Sequence, residues 1–521
     1  MSSCKTARCN ASRAAGQNCL AHADEEELSQ AIEQCGLGAP LDGRGAVIDS
    51  DCMKRLRGAL ETDGNAESST PLSPPVPAFR GEVRFQNATF TGTAAFDGVH
   101  FQGPAYFHGA TFCETADFRR AKFQDHADFD KARFEGSPNF RGAVFDDHAG
   151  FERIEAAQVG AVFIAAEFRS YVDFENAVFA SSLDLAGARF ELARRLGPLR
   201  AAEVILEDSV FAERVAIDVI ADRVSALSTT FADGVRLSIR GPAELLMEGT
   251  DFGRAATISL LPAEAANEMQ ARPRLLTLRG SQVASLTISG VNIETCRFFG
   301  AHGLESLLIE SSCVWRHTPK SWRFVDRQIL YEEQEWRVLD EQRRAPRKRY
   351  WDHGEGRGET GELLNPRQLA GLYRALRKAG EDNKDQPGTA DLYYGEMEMR
   401  RKSPGVPDGS KPRHLVDRFI ITAYWLISGY GLKASRALLA WLALVLGASL
   451  LVARYGYDPS LPLGRAVIFS IEGTSSFIRL AHPPSVFHIQ PAGEAIRALL
   501  RILGPVLIGL WLLALRSRVK R

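Results

Sequence analysis

From residue 85 the chain sets phenylalanines at Phe85, Phe90, Phe96, Phe101, Phe107, Phe112, Phe118, Phe123, Phe129, Phe134, Phe140, Phe145 and Phe151, in steps that alternate between five and six residues. Two positions before most of them stands alanine, with Val83, Val99 and Pro138 as exceptions here and Val172 before the later Phe174, and mostly polar or small residues fill the remaining places. A helix face would repeat at three and four residues and a half-buried strand at two, so neither accounts for this spacing. Self-similarity at a fixed period predicts a solenoid. Each short face would send one large side chain to the axis, with a small one beside the corner where backbones crowd. One residue slips in near Ala156–Gln158, and the pattern resumes at Phe163, Phe168, Phe174, Phe179, Leu185 and Phe190. Beyond Phe190 the pairs Phe211/Ile217, Phe231/Leu237 and Phe252/Ile258 keep the six-residue step, and 276–310 reads as further coils, which carries the expected solenoid to about Cys313. His100, His108, His126 and His148 flank repeat centres and read as solvated corner residues.

The pattern then turns helical. Residues 321–351 are charged and aromatic, and Asn365–Pro366 has the form of a capped helix start with proline in the first turn. Leu369, Leu372, Tyr373 and Leu376 follow at helical spacing, and a turn at Asp385–Gly388 leads to a second helix, which together read as a helical hairpin. In YYGEMEMRR (393–401), Glu396 and Glu398 are two apart and do not share a helix face. The expectation is that Met397 packs inward while the acids pair with Arg400 or Arg401.

Two apolar runs close the sequence. ALLAWLALVLGASLLVA (437–453) lies between Arg436 and Arg454, long enough to cross a bilayer with snorkelling ends. ILGPVLIGLWLLAL (502–515) becomes long enough if its helix begins near Glu494 and includes Arg497 and Arg501. Basic residues precede the first run (Lys411, Arg413, Arg418, Lys433, Arg436) and follow the second (Arg516, Arg518, Lys520, Arg521), which predicts a multi-pass inner-membrane protein with both termini cytoplasmic. RFIITAYWLISGYG (418–431) reads as an interfacial helix.

Composition adds little to this pattern: 45% hydrophobic, 24% charged and a net charge of −1 favour no particular partner. The N-terminus has no apolar segment of the secretory kind, and its cysteines are expected as thiols in a reducing compartment. Cys4, Cys9, Cys19 and His22 are spaced C-x4-C-x9-C-x2-H, a donor set suited to one structural zinc. Residues 79–190 carry 16 acidic and 11 basic side chains, too mild an excess for a mimic of DNA, and a nucleic-acid partner is disfavoured.

The stretches ADFRR (116–120) and ADFDK (127–131) resemble the pentapeptide-repeat family, whose unit is a small residue, a polar one, a central Leu or Phe and two polar ones. The resemblance implies a right-handed quadrilateral β-helix with four faces in 22 residues, stacking Phe85, Phe107, Phe129 and Phe151 in one column. The six-residue steps then place an extra corner residue on alternate faces. With ETCRFFGAHGLESLLIE (294–310), KDQPGTADLYYGEMEMRR (384–401) and SGYGLKASRALLAWLAL (428–444), most of the chain is similar to multi-domain bacterial membrane proteins that join such repeats to a C-terminal, channel-like two-helix hairpin. The expected organisation is a zinc-knuckle-like segment and short helix (1–64), a linker (65–78), the β-helix (79–313), a helical connector (314–405), an interfacial helix (406–436) and a transmembrane hairpin (437–521).

Between the apolar runs, AVIFSIEGTSSF resembles a re-entrant pore helix without the T-x-G-Y-G carbonyl ladder of potassium channels. The pore candidates are Ile471, Glu472, Thr474, Ser475, Ser476, Phe477, Arg497 and Arg501. The expected function is a membrane-anchored scaffold whose cytoplasmic β-helix binds an unidentified protein. The alternative is a homo-oligomeric channel gated by its cytoplasmic domains. An enzyme such as a membrane oxidoreductase is least favoured, because no G-x-G-x-x-G follows a strand pattern and no nucleophile elbow, haem-type C-x-x-C-H or catalytic metal set occurs.

Overall fold

The computed structural model describes residues 19–63, 76–261, 271–320, 325–344, 351, 364–383, 386–403, 411–474 and 488–519, apart from 157, 159 and 459. They form two compact units, Met1–Glu335 and Trp336–Arg521.

In the first unit the phenylalanine period is a parallel β-solenoid with four sheets of 6, 12, 9 and 8 strands, one for each face of the coil. Face 1 stacks Leu41–Asp42, Val83–Arg84, Ala105–Tyr106, Ala127–Asp128, Ala149–Gly150 and Val172–Asp173. Face 2 runs from Val47–Ile48 to Leu308–Ile309, face 3 from Ala94–Ala95 to Arg274–Thr277, and face 4 from Ala78–Phe79 to Thr230–Phe231. Equivalent residues on successive coils pair in register, as Ala105, Ala127 and Ala149 do. At roughly 4.8 Å per coil, the longest face gives a rod of about 50 Å.

The stack is built as the sequence implies. Phe107 lies 4.8 Å from Phe129 with rings 4° from parallel, and Phe129 lies 5.3 Å from Phe151 at 5°. The expected column also holds at Phe85–Phe107, 5.3 Å apart. The six-residue steps fall at the corners after faces 2 and 4, where the extra residue makes a bend. One of them is Gly103, where a Cβ would stand 2.7 Å from the backbone of Gly81 on the preceding coil. After faces 1 and 3 the second residue past the phenylalanine is left-handed. Glycine fills that place at Gly98, Gly109, Gly142 and Gly187, but Arg120, Lys131 and Arg153 hold it with φ of 56°, 56° and 54°. Their strain is offset by bonds between coils, as where Lys131 N–H donates to Glu152 C=O at 2.7 Å. At the slip, Ala156 takes the phenylalanine place between Phe134 and Phe179.

Past Asp184 the cross-section changes. Face 1 ends at Val172–Asp173, and the six-residue strand Arg195–Arg200 runs on without a corner to pair Arg200 with Val178 on face 2. Strands Val215–Ile220, Val235–Arg240 and Ala256–Leu260 stack on it, so the solenoid continues with three faces. The pairs Phe211/Ile217, Phe231/Leu237 and Phe252/Ile258 are all buried there. The loss of one corner is the physical source of the looser repeat.

Both ends of the coil are covered. Leu41–Asp42 and Val47–Ile48, from the segment before the linker, already form the first coil. Helix α1 (Glu25–Gly36), started by an Asp24/Glu27 capping box, and α2 (Ser50–Asp63) pack beside it, with Arg57 paired to Asp97. At the other end, Glu332 on α3 (Tyr331–Arg344) accepts from the Phe298 and Phe299 N–H groups at 2.6 and 3.0 Å. Burial outweighs these bonds and raises its carboxyl to about 7. Beside it, buried Arg327 and Glu333 pair at 2.6 Å.

The second unit is helical: α4 (Pro366–Asp382), α5 (Gln386–Lys402), α6 (Lys411–Ser428), α7 (Ala434–Tyr455), α8 (Leu463–Thr474) and α9 (Pro491–Val519).

Candidate functional site: the helical connector and the apolar hairpin

Asn365 caps α4 through a capping box with Gln368, and Pro366 takes the first turn, as its sequence predicts. The α4–α5 hairpin closes around Gly395, where a Cβ would stand 2.7 Å from Tyr373 Cζ. The residues beside Gly395 depart from expectation. Met397 is half-buried, whereas Glu396 and Glu398 are buried at 2% and 7% exposure. The cause is the number of cations around them. Glu396 lies 3.1 Å from Arg377 and 2.5 Å from Arg400, the Arg377 contact being an ion pair without hydrogen-bond geometry. Glu398 meets Arg401 at 2.7 Å and Arg337 at 3.8 Å. The predicted pairing with Arg400 and Arg401 therefore holds, but from inside the bundle.

Glu398 also joins the connector to the start of the hairpin. Tyr430, in the SGYG turn between α6 and α7, donates its hydroxyl to Glu398 Oε2 at 3.1 Å. Burial, with Glu398 beside it, pushes the Tyr430 hydroxyl far up. Trp425 on α6 donates Nε1–H to Tyr394 Oη at 3.0 Å, and the Arg401 and Arg436 guanidinium groups lie 4.5 and 5.4 Å from its ring centre. This aromatic and arginine cluster was not legible in the sequence, because its members come from α5, α6 and α7.

Helices α7 and α9 are both long and apolar enough to cross a membrane, at 22 residues and, for Pro491–Leu515, 25 residues. Only 28% and 22% of their most apolar stretches is buried inside the protein, so they are not core helices. Leu439, Leu446, Leu450, Ile502 and Leu513 are more than half exposed. The second helix begins before Glu494, as its length requires. Helix α6 starts earlier than the apolar pattern suggests and exposes Val416, Phe419, Ile420 and Leu426.

Helix α8 covers 463–474, between the two long helices, and packs against both. At about 1.5 Å per residue it is too short to span. Its C-terminal end is pressed onto α9: a Cβ on Gly504 would stand 2.6 Å from Thr474 Cβ, and one on Gly473 would stand 3.0 Å from Leu500 Cδ1. Of the pore candidates, Thr474 is buried and Ile471 and Glu472 are half-exposed, while Ser475, Ser476 and Phe477 lie outside the described residues. Arg497 places its guanidinium 4.9 Å from the Phe469 ring centre, and Tyr457 packs edge-on to the same ring at 5.6 Å. Arg501 is exposed.

At the N-terminus, Cys19 Sγ and His22 Nδ1 are 3.1 Å apart, which brings together half of the predicted zinc set. Cys4 and Cys9 lie outside the described residues.

The first unit is thus a β-solenoid, and the second carries two candidate membrane-spanning helices. The repeats of the first unit over residues 78–155 are pentapeptide repeats: the family model for nine copies of that unit matches residues 78–111, 85–133 and 109–155. No curated protein and no solved structure matches the chain.

Proposed function

We propose that this protein is a membrane-anchored scaffold, held by the α7–α9 hairpin, whose pentapeptide-repeat solenoid docks a cytoplasmic protein. The observation that carries the reading is the apolar surface that α7 and α9 leave uncovered, with large leucines exposed along both helices. Soluble monomers rarely expose so much apolar surface, and a bilayer or further copies of the hairpin would cover it. Basic residues outside both spans support cytoplasmic ends on the inner membrane. A zinc ion on Cys4, Cys9, Cys19 and His22 would serve as a structural staple for the short N-terminal segment. The test is fractionation of cells expressing the full chain. Anchoring predicts a membrane pellet that resists alkaline carbonate, while a chain ended after Ser403 appears in the soluble fraction. Release of the full chain by carbonate contradicts anchoring.

A second reading, an oligomeric channel, draws support from α8. A short helix packed between two long ones, with Arg497 over Phe469, is an arrangement that several copies could place around an axis. Ion flux through proteoliposomes tests it. A channel lined by this segment predicts flux that replacement of Ile471 and Thr474 abolishes. No flux from an inserted oligomer leaves the scaffold as the function.

A further inference from the structure

Face 1 gathers side chains that the repeat itself does not need. His108 follows Phe107 on one coil, and Asp128 and Asp130 flank Phe129 on the next. Parallel pairing puts Asp128 beside Tyr106, and Gly109 N–H donates to Asp130 C=O at 2.8 Å. The donor atoms of His108, Asp128 and Asp130 all lie within 4.8 Å of one another. His108 Nδ1 is 3.7 Å from Asp128 Oδ2, longer than a hydrogen bond. It is close to the roughly 3.0–3.4 Å that separates two ligands bound about 2.1 Å from one ion.

Backbone groups hold both carboxylates in place. Asp128 Oδ1 accepts Asp130 N–H at 2.9 Å, and Asp130 Oδ1 accepts Glu152 N–H at 2.8 Å. In each case Oδ2 is left for a further ligand. Position 150 continues the row of Tyr106, Asp128 and Asp173 but is glycine. A Cβ there would stand 2.7 Å from Asp130 Oδ1, so a side chain at position 150 would push the Asp130 carboxylate aside. Among the described residues Asp130 has no ion pair, and the partner of Asp128 is His108.

We propose that His108, Asp128 and Asp130 form a site for a divalent transition-metal ion on face 1 of the solenoid. One imidazole nitrogen and two carboxylate oxygens suit zinc, cobalt or manganese, whereas calcium and magnesium favour all-oxygen sets. Three protein donors leave further coordination positions to water.

The test is a titration of the purified full-length protein with Co2+ alone, carrying Cys4→Ala and Cys9→Ala so that the N-terminal set is incomplete. The expected result is one bound equivalent with weak visible bands and no thiolate charge-transfer band. His108→Ala and Asp130→Asn each lower the affinity roughly tenfold or more while the far-ultraviolet circular dichroism stays unchanged. Gly150→Ala lowers it too, by displacing Asp130. No binding up to about 1 mM by folded protein, binding that His108→Ala and Asp130→Asn leave intact, or binding only through thiolate overturns the site.

Discussion

Each central phenylalanine meets two kinds of neighbour, parallel rings above and below in its own column and edge-on rings from adjoining faces. Phe129 stacks between Phe107 and Phe151 and meets Phe118 and Phe140 edge-on, each at 5.2 Å. Phe129→Ala would empty a site flanked on both sides and is expected to cost about 3–5 kcal/mol in urea unfolding. Phe129→Leu should cost under about 1.5 kcal/mol, since Leu185 already fills an equivalent place. Glu332 gives a prediction in pH. Its carboxyl ordinarily titrates at 4.5 and is raised to about 7 in the fold, so the folded state holds the proton more tightly. The stability it contributes is complete below pH 4.5 and is lost as pH rises through about 7. Glu332→Gln should flatten this fall, by roughly 1–3 kcal/mol between pH 5 and 8, in denaturation followed by the β-sheet signal. An unchanged slope would assign the pH dependence to other groups.

At the scale of elements, the four-faced coil was readable because every face repeats one residue pair. What could not be read was what lies between faces. Arg120, Lys131 and Arg153 sit in left-handed turns without glycine to announce them, because bonds to the next coil hold them there. Nor did Arg195–Arg200 show in advance that it would merge two faces, since a six-residue strand and a five-residue face with its corner carry similar apolar spacing. The connector was legible as two helices, from its cap and its leucines. The inward turn of Glu396 and Glu398 was not, because it depends on arginines from α3, α4 and α5 converging on them. Glu398→Ala is expected to cost about 3–5 kcal/mol, because Arg401 and Arg337 lose a buried partner. Thermal unfolding in detergent would register it, with Glu398→Gln falling between. Gly504→Val should lower the same midpoint by forcing Thr474, and with it α8, away from α9. If Gly504→Val leaves the midpoint unchanged, the contact between α8 and α9 contributes little to stability.

For the whole molecule, the central claim is that α7 and α9 cross a bilayer as a hairpin, with the solenoid and both ends of the chain on the cytoplasmic side. The solenoid explains its own stability, since its core is continuous and its first and last coils are covered. The hairpin leaves large leucines exposed along both helices, and the proposed anchoring would cover them. The most direct test places cysteine at Asp458, between the helices, and at Ser517, near the end of α9, and labels whole cells with a membrane-impermeant maleimide. Mass spectrometry then identifies which position has reacted. The account predicts that Asp458→Cys is labelled in intact cells and Ser517→Cys only after permeabilisation. Equal labelling of the two positions in intact cells, or labelling of neither until permeabilisation, would contradict the hairpin.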